Sequence, residues 1–177
     1  MTSDTRSSEV NYPLTHSEKS YDWLGHGIYF WESDRQRALE WAQWKNKIGD
    51  CPEPFVIGAV LDLGKCFDLL ERENLDLLSE TYTAYAESRK AANLPLPVNK
   101  DSAKGASQNK VMRHLDCAVI NYLHTTMDAQ SIHPFDSVRG LFVEGLPAYK
   151  GGEIYRLTHA QIAIRTDSCI KGVFLPR

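Results

Sequence analysis

The stretch from Tyr21 to Glu32, Tyr-Asp-Trp-Leu-Gly-His-Gly-Ile-Tyr-Phe-Trp-Glu, constrains the fold more than any other part of the chain. Large aromatic side chains contribute strongly to a core, whereas glycines beside them weaken a strand unless another backbone or a ligand comes close. Ile28 to Trp31 has strong β-propensity, and alternation sends Ile28 and Phe30 to one face, Tyr29 and Trp31 to the other. Gly25 and Gly27 leave the entry to that strand uncovered. An ordinary core beside a tight turn accounts for this pattern. So does a flat, aromatic-floored recess with exposed backbone N–H and C=O groups, which would suit a planar ring carrying an amide.

The aromatic strand is followed by a helix signal, with Ser33 as N-cap, Gln36 as its capping-box partner and Asp34 favouring the positive helix end. Ala38, Leu39, Trp41, Ala42 and Ile48 form its apolar face and Gly49 its stop. After a loop at Cys51 to Pro54, Phe55 to Leu63 reads as a buried strand closed by Gly64. A helix is expected from Asn74 to about Ala92, ended by Leu94-Pro95-Leu96-Pro97. Asn99 to Gly105 is a polar loop, and Ser107 caps a further helix reaching about Asp128, with Val111, Leu115, Ala118, Val119 and Tyr122 on its face. Three strands close the chain, Val138 to Glu144, His159 to Arg165 and Cys169 to Leu175, with a glycine- and proline-containing turn at Gly145 to Gly152. Mixed strands with segregated helices indicate an α+β domain.

A chain of 177 residues makes one domain with a sizeable core. Residues 1–20, polar and carrying Pro13, read as a flexible lead-in with a short strand at Val10 to Leu14; residues 21–177 form the domain, with a helical insertion at about 74–128. A net charge of −3 gives no electrostatic case for bulk nucleic-acid binding. No apolar run approaches the roughly 20 residues of a membrane-spanning helix, and the polar N-terminus has no signal-peptide core, so a cytoplasmic protein without membrane attachment is expected. Cys51, Cys66, Cys117 and Cys169 are scattered and read as small side chains rather than a disulfide or zinc framework. His114 and His124 share one expected helix without one-turn spacing, so no metal site is expected there. There is no dinucleotide-fold glycine fingerprint, phosphate loop, zinc-protease helix or nucleophile elbow.

In the strand from His159 to Arg165, alternation places Ala160, Ile162 and Ile164 on an apolar face and His159, Gln161 and Arg165 on the other, with Ala163 between them. A histidine, an amide and a guanidinium on one strand face form either a solvated edge or one wall of a polar site.

Gly25-His26-Gly27-Ile28-Tyr29-Phe30, followed at once by a capped helix, resembles the nicotinamide-binding strand of the ADP-ribosyltransferase superfamily, on its diphtheria-toxin and poly(ADP-ribose) polymerase side. The resemblance implies that the Gly25–His26–Gly27 backbone hydrogen-bonds the nicotinamide amide and that Tyr29, beside Phe30, stacks on the ring. Ala160 to Ile170 is similar to the strand, polar turn and closing strand that carry the catalytic glutamate of polymerase-type members, and Gln161 falls at the glutamate position. Together the two similarities bracket the chain from Tyr21 to Phe174. They imply a split β-sheet core with helices between the N-terminal and C-terminal strands.

Two departures bear on mechanism. The family opens with a His-Gly strand that holds the NAD ribose; too little chain precedes Tyr29 for it, so His16 or His26 substitutes, the strand is missing, or the true start codon lies upstream. An amide at 161 bonds a ribose hydroxyl but takes no proton and brings no charge. A carboxylate would then have to stabilise an oxocarbenium-like transition state; Glu144, Glu153 and Glu32 are the candidates. His159 occupies a position that influences acceptor choice in the toxin branch, and Arg165 and Arg139 are candidates for the NAD pyrophosphate. The implied protein is a mono-ADP-ribosyltransferase using NAD as substrate and no metal, an intracellular toxin or defence effector modifying a protein or nucleic acid, with an antitoxin as a further partner. An inactive binding module of the same fold and an NAD glycohydrolase are the alternatives.

Overall fold

The computed structural model describes residues 14–101 and 110–176. Most of the expected lead-in, nearly all of the strand starting at Val10, part of the 99–105 loop and the Ser107 cap lie outside them. The described residues form an α+β fold of three helices and two sheets. In chain order these are β1 (Ile28–Trp31), α1 (Arg35–Lys47), β2 (Gly58–Leu61), β3 (Cys66–Asp68), α2 (Arg72–Ala91), α3 (His114–Ala129), β4 (Ser137–Phe142), β5 (His159–Ile164) and β6 (Ile170–Phe174).

β5 determines the arrangement. Ile162, Ala163 and Ile164 are all buried, which requires cover on both faces and strands on both sides. The four-stranded sheet meets this with the order β1-β5-β4-β3, in which β5 pairs antiparallel with β1 and β4 while β3 runs parallel to β4. The solvated edge considered for the His159–Gln161–Arg165 face is therefore not realised. β2 and β6 pair antiparallel as a separate sheet. Ile28, Ile162 and Ile164 from one face of the large sheet pack with Cys169, Leu61 and Ile170. On the other face Phe67, Val138 and Ala163 meet Leu24 and the α3 residues Ile120 and Leu123, with Leu77 and Leu78 of α2 packed against them.

Several local expectations shift for identifiable reasons. Ser33 lies at φ +54°, and Asp34 is the N-cap of α1, its Oδ1 accepting from the Arg37 N–H at 2.9 Å. Gly49, at φ +83°, ends α1 as expected: its N–H reaches Asn46 and that of Asp50 reaches Lys45, a Schellman closure. β2 is shorter than the expected 55–63 and is not buried, with Val60 56% exposed. α3 begins only at His114, and its buried side is Cys117, Val119, Ile120, Leu123 and His124 rather than the face centred on Leu115 and Tyr122. Asn121 also faces inward, and its polarity disguised the stripe. Residues 14–20, expected in the flexible lead-in, are docked: Ser17 exchanges both backbone hydrogen bonds with Gly27, and Leu14 packs on the Ile28–Ile162 cluster. Among the described residues no helix is long and apolar enough to cross a membrane.

Candidate functional site

The pairing of β1 with β5 sets Tyr29 opposite Ala163 and Trp31 opposite Gln161. Tyr29 and Gln161 are therefore diagonal neighbours on one sheet face, on the order of 7–8 Å apart at Cα. Trp31, His159, Arg165 and, through β4, Gly140 and Phe142 share that face. It divides into two ends with different chemistry.

At the first end the turn from Gly25 to Gly27 is closed upon itself. The Gly25 N–H donates to Asp22 O, and Gly25 O accepts from the Tyr29 hydroxyl at 2.8 Å. The His26 N–H donates to Asn121 Oδ1 at 3.0 Å, and His26 O accepts from Arg165 at 2.8 Å. Gly27 is paired with Ser17 through both of its groups. All six backbone N–H and C=O groups of the turn are thus satisfied by the protein itself. The Tyr29 oxygen accepts from the Leu24 N–H at 2.9 Å as well, and burial pushes its pKa well above the usual phenol value. Burial also lowers the Arg165 pKa, and the guanidinium lies beneath the turn. Gly25 is required here: it sits at φ +78°, and a Cβ would lie 2.8 Å from Asn121 Oδ1 and 2.9 Å from Ile120. As placed, Tyr29, Arg165 and the 25–27 backbone brace the turn, and a carboxamide oxygen could take an N–H of that turn only by displacing its present partner.

At the second end a directed chain of polar groups surrounds Gln161. The Trp23 indole N–H donates to Gln161 Oε1 at 2.6 Å, and Gln161 Nε2 lies 3.0 Å from His159 Nε2. His159 Nδ1 lies 2.6 Å from Leu157 O. Indole can only donate and a carbonyl can only accept, so the chain has one consistent direction, with neutral His159 carrying its proton on Nδ1. Burial lowers the His159 pKa in keeping with this, and the Leu157 carbonyl opposes the shift. Glu144 continues the Phe142 side of β4 and accepts from Arg37 at 2.7 Å, close enough to His159 for both charges to influence its titration. Trp31 packs at 6.4 Å from the His159 ring. The Trp31 Nε1–H and Arg37 Nε–H are buried without hydrogen-bond partners.

The remaining candidates lie elsewhere. Phe30 points to the opposite sheet face with Ile162, bordering a cavity of about 610 Å³ with Leu14, Trp41, Phe55 and Phe174. Arg139 also shares the Ile162 side, where Glu32 at 2.7 Å and Asp68 at 2.9 Å bracket its guanidinium. Arg139 and Glu32 are thereby separated from Gln161 by the sheet. Glu153 is exposed and meets the Tyr155 hydroxyl at 3.4 Å. His16 pairs with Asp167 at 2.7 Å. Of the three carboxylates considered, Glu144 alone stands on the Gln161 face beside His159. No local pattern in the sequence marks Trp23, Arg37, Gly140 or Asn121, because their roles depend on partners 95 to 138 positions away or on a sheet register. Among the described residues no group of three or more His, Cys, Asp or Glu side chains is arranged to hold a metal ion. Comparison with protein-family models, curated proteins and solved structures returned no match.

Proposed function

We propose that the protein is an NAD-dependent mono-ADP-ribosyltransferase that modifies a protein or nucleic acid, acting as an intracellular toxin or defence effector. The observation that carries this reading is the pairing of each N-terminal strand with a C-terminal one, β1 with β5 and β2 with β6, in separate sheets with α2 and α3 between them in sequence. That arrangement is compatible with the split sheet that the resemblance implies, and it sets the aromatic strand beside the one bearing Gln161.

In the reaction the bond between nicotinamide and ribose C1′ breaks, nicotinamide departs with the bonding pair, and an acceptor nucleophile attacks C1′. Gln161 would bond a ribose hydroxyl, and the Glu144 carboxylate would stabilise the developing positive charge. His159, neutral and oriented by Leu157, lies beside both where an acceptor would arrive. Tyr29 acts as a positioning residue through the turn that it braces.

Incubation with NAD labelled in the adenylate moiety tests the proposal. Label on a macromolecule, lost in Glu144→Gln with the fold retained, is the expected result. Free ADP-ribose alone would make the protein a glycohydrolase. Unchanged NAD across protein and nucleic-acid acceptors would favour the second reading, a binding module of the same fold, for which the internally satisfied Gly25–Gly27 turn and the amide at 161 speak.

A further inference from the structure

Gly140 lies directly opposite Gln161 in the β4–β5 register. Its missing side chain leaves a slot on the sheet face, and the Trp23 indole fills it: a Cβ at 140 would lie 2.8 Å from the indole Cη2 and 3.1 Å from Cζ3. The ring of Phe142 flanks the indole at 5.2 Å between centroids. Trp23 comes from the turn-rich segment before β1, outside any helix or strand. Its ring also borders a surface cavity of about 450 Å³ between α2 and α3, walled by Leu75, Leu78, Leu115 and Val119, a volume within the range of small-ligand sites. The indole thus stands between the cavity and Gln161, and it presents to Gln161 what a planar ring with an N–H donor would present.

We propose that Trp23 is a displaceable plug in a ligand slot: a planar heteroaromatic carboxamide enters from the α2–α3 cavity, lies over Gly140, and donates an amide N–H to Gln161 Oε1 in place of the indole. This inference rests on the reading of the Gln161 face as the nicotinamide-ribose site. It adds that the site is closed at rest and opens only when the ring slot changes occupant. The hydrogen-bond direction supports the exchange, because Gln161 Oε1 is already aimed at a donor and its Nε2 is held by His159, while the second lone pair of Oε1 is left to accept from the ribose hydroxyl. Arg113, whose guanidinium lies 5.1 Å over the Phe142 ring and pairs with Asp116, borders the cavity and supplies a cation for an anionic remainder of the ligand.

The experiment is nicotinamide binding to the full chain, followed by calorimetry and by hydrogen exchange of the Trp23 indole N–H. Wild type should bind weakly, with Trp23 N–H exchange accelerating as ligand is added. Trp23→Ala should bind at least about tenfold more tightly, because a closed state lowers apparent affinity by the fraction that is open. Trp23→Phe keeps a ring over Gly140 without the donor; it should tighten binding by a smaller factor and carries the test if the alanine variant fails to fold. Equal affinities with an unchanged Trp23 exchange rate overturn the plug, and ADP-ribosyl transfer from NAD in the same preparation would leave the proposed function standing. Binding to neither variant, with NAD left intact, overturns both.

Discussion

The two ends of the sheet face above β1 and β5 are built from similar residue types and behave differently. Around Gly25–Gly27 every backbone group has a partner, and Tyr29, Asn121 and Arg165 are each committed to that turn. Around Gln161 the partners are side chains in a single directed chain, and two buried donors, on Trp31 and Arg37, are left over. Backbone satisfied by backbone and core side chains gives a rigid brace, whereas side-chain networks with spare donors can exchange partners. The motif most visible in the sequence is therefore the brace, and the end whose side chains can exchange partners lies beside it.

Tyr29 offers the harshest test of this division. If it braces the turn, Tyr29→Ala removes a packed ring and both hydroxyl hydrogen bonds, and should lower stability by about 3–5 kcal/mol in denaturant unfolding. Tyr29→Phe keeps the ring and leaves the Leu24 N–H and Gly25 carbonyl unpaired, at about 1–3 kcal/mol. A residue whose only task was to stack on a ligand would show no loss with phenylalanine, and an unchanged unfolding midpoint would return Tyr29 to that role.

Sequence reasoning recovered the elements whose signals are local. β5 was expected from His159 to Arg165 and runs from His159 to Ile164, and β6 and α2 begin and end within two residues of expectation. The aromatic and glutamine strands lie side by side. β3 has no signal in the sequence because three residues between turns carry no periodicity; it exists because Cys66 to Asp68 find β4, about 70 positions later. α3 starts later than the sequence suggests because its cap is remote: Asn99 Oδ1 accepts from the Leu115 N–H at 2.7 Å, where no neighbouring Ser, Thr or Asp does so. At the candidate site the residue types on the β5 face were legible, but their commitments were not. Nothing local to Arg165 indicates that its partner is the His26 carbonyl, and nothing local to Gln161 indicates Trp23.

Behind the brace, His124 lends the first end a pH dependence that should be the next largest effect. Its Nδ1 lies 2.8 Å from Ile120 O, its Nε2 has no partner, and Phe135 meets it edge-on. Burial, with help from the Arg165 charge, lowers its pKa from 6.5 to about 4. The native state keeps the ring neutral while the unfolded chain takes up a proton below pH 6.5. Stability is therefore full above that pH, falls as pH drops toward about 4, and levels off below it; the shift corresponds to ~3 kcal/mol. Unfolding midpoints followed from pH 7 to 4 should show this decline, and His124→Leu should flatten it. A decline of the same size in the variant would assign the pH dependence to other groups.

The smallest effect belongs to the second end, and its sign carries the information. Arg37 and Glu144 are mostly buried, but Arg37→Met also removes the unpartnered buried Nε–H and Glu144→Gln keeps an acceptor facing Arg37, so breaking their 2.7 Å charge pair should change stability by no more than about 1 kcal/mol. The pair nevertheless acts on His159 from opposite directions, the guanidinium lowering its pKa and the carboxylate raising it. Arg37→Met should therefore move the His159 titration upward and Glu144→Gln should move it downward, read from its ring resonances by NMR. Opposed shifts with nearly unchanged unfolding midpoints would mark a cluster whose charges are felt by the histidine beside Gln161 without holding the fold together. Shifts of one sign, or a large loss of stability in either variant, would make this end a second brace and erase the contrast with Gly25–Gly27.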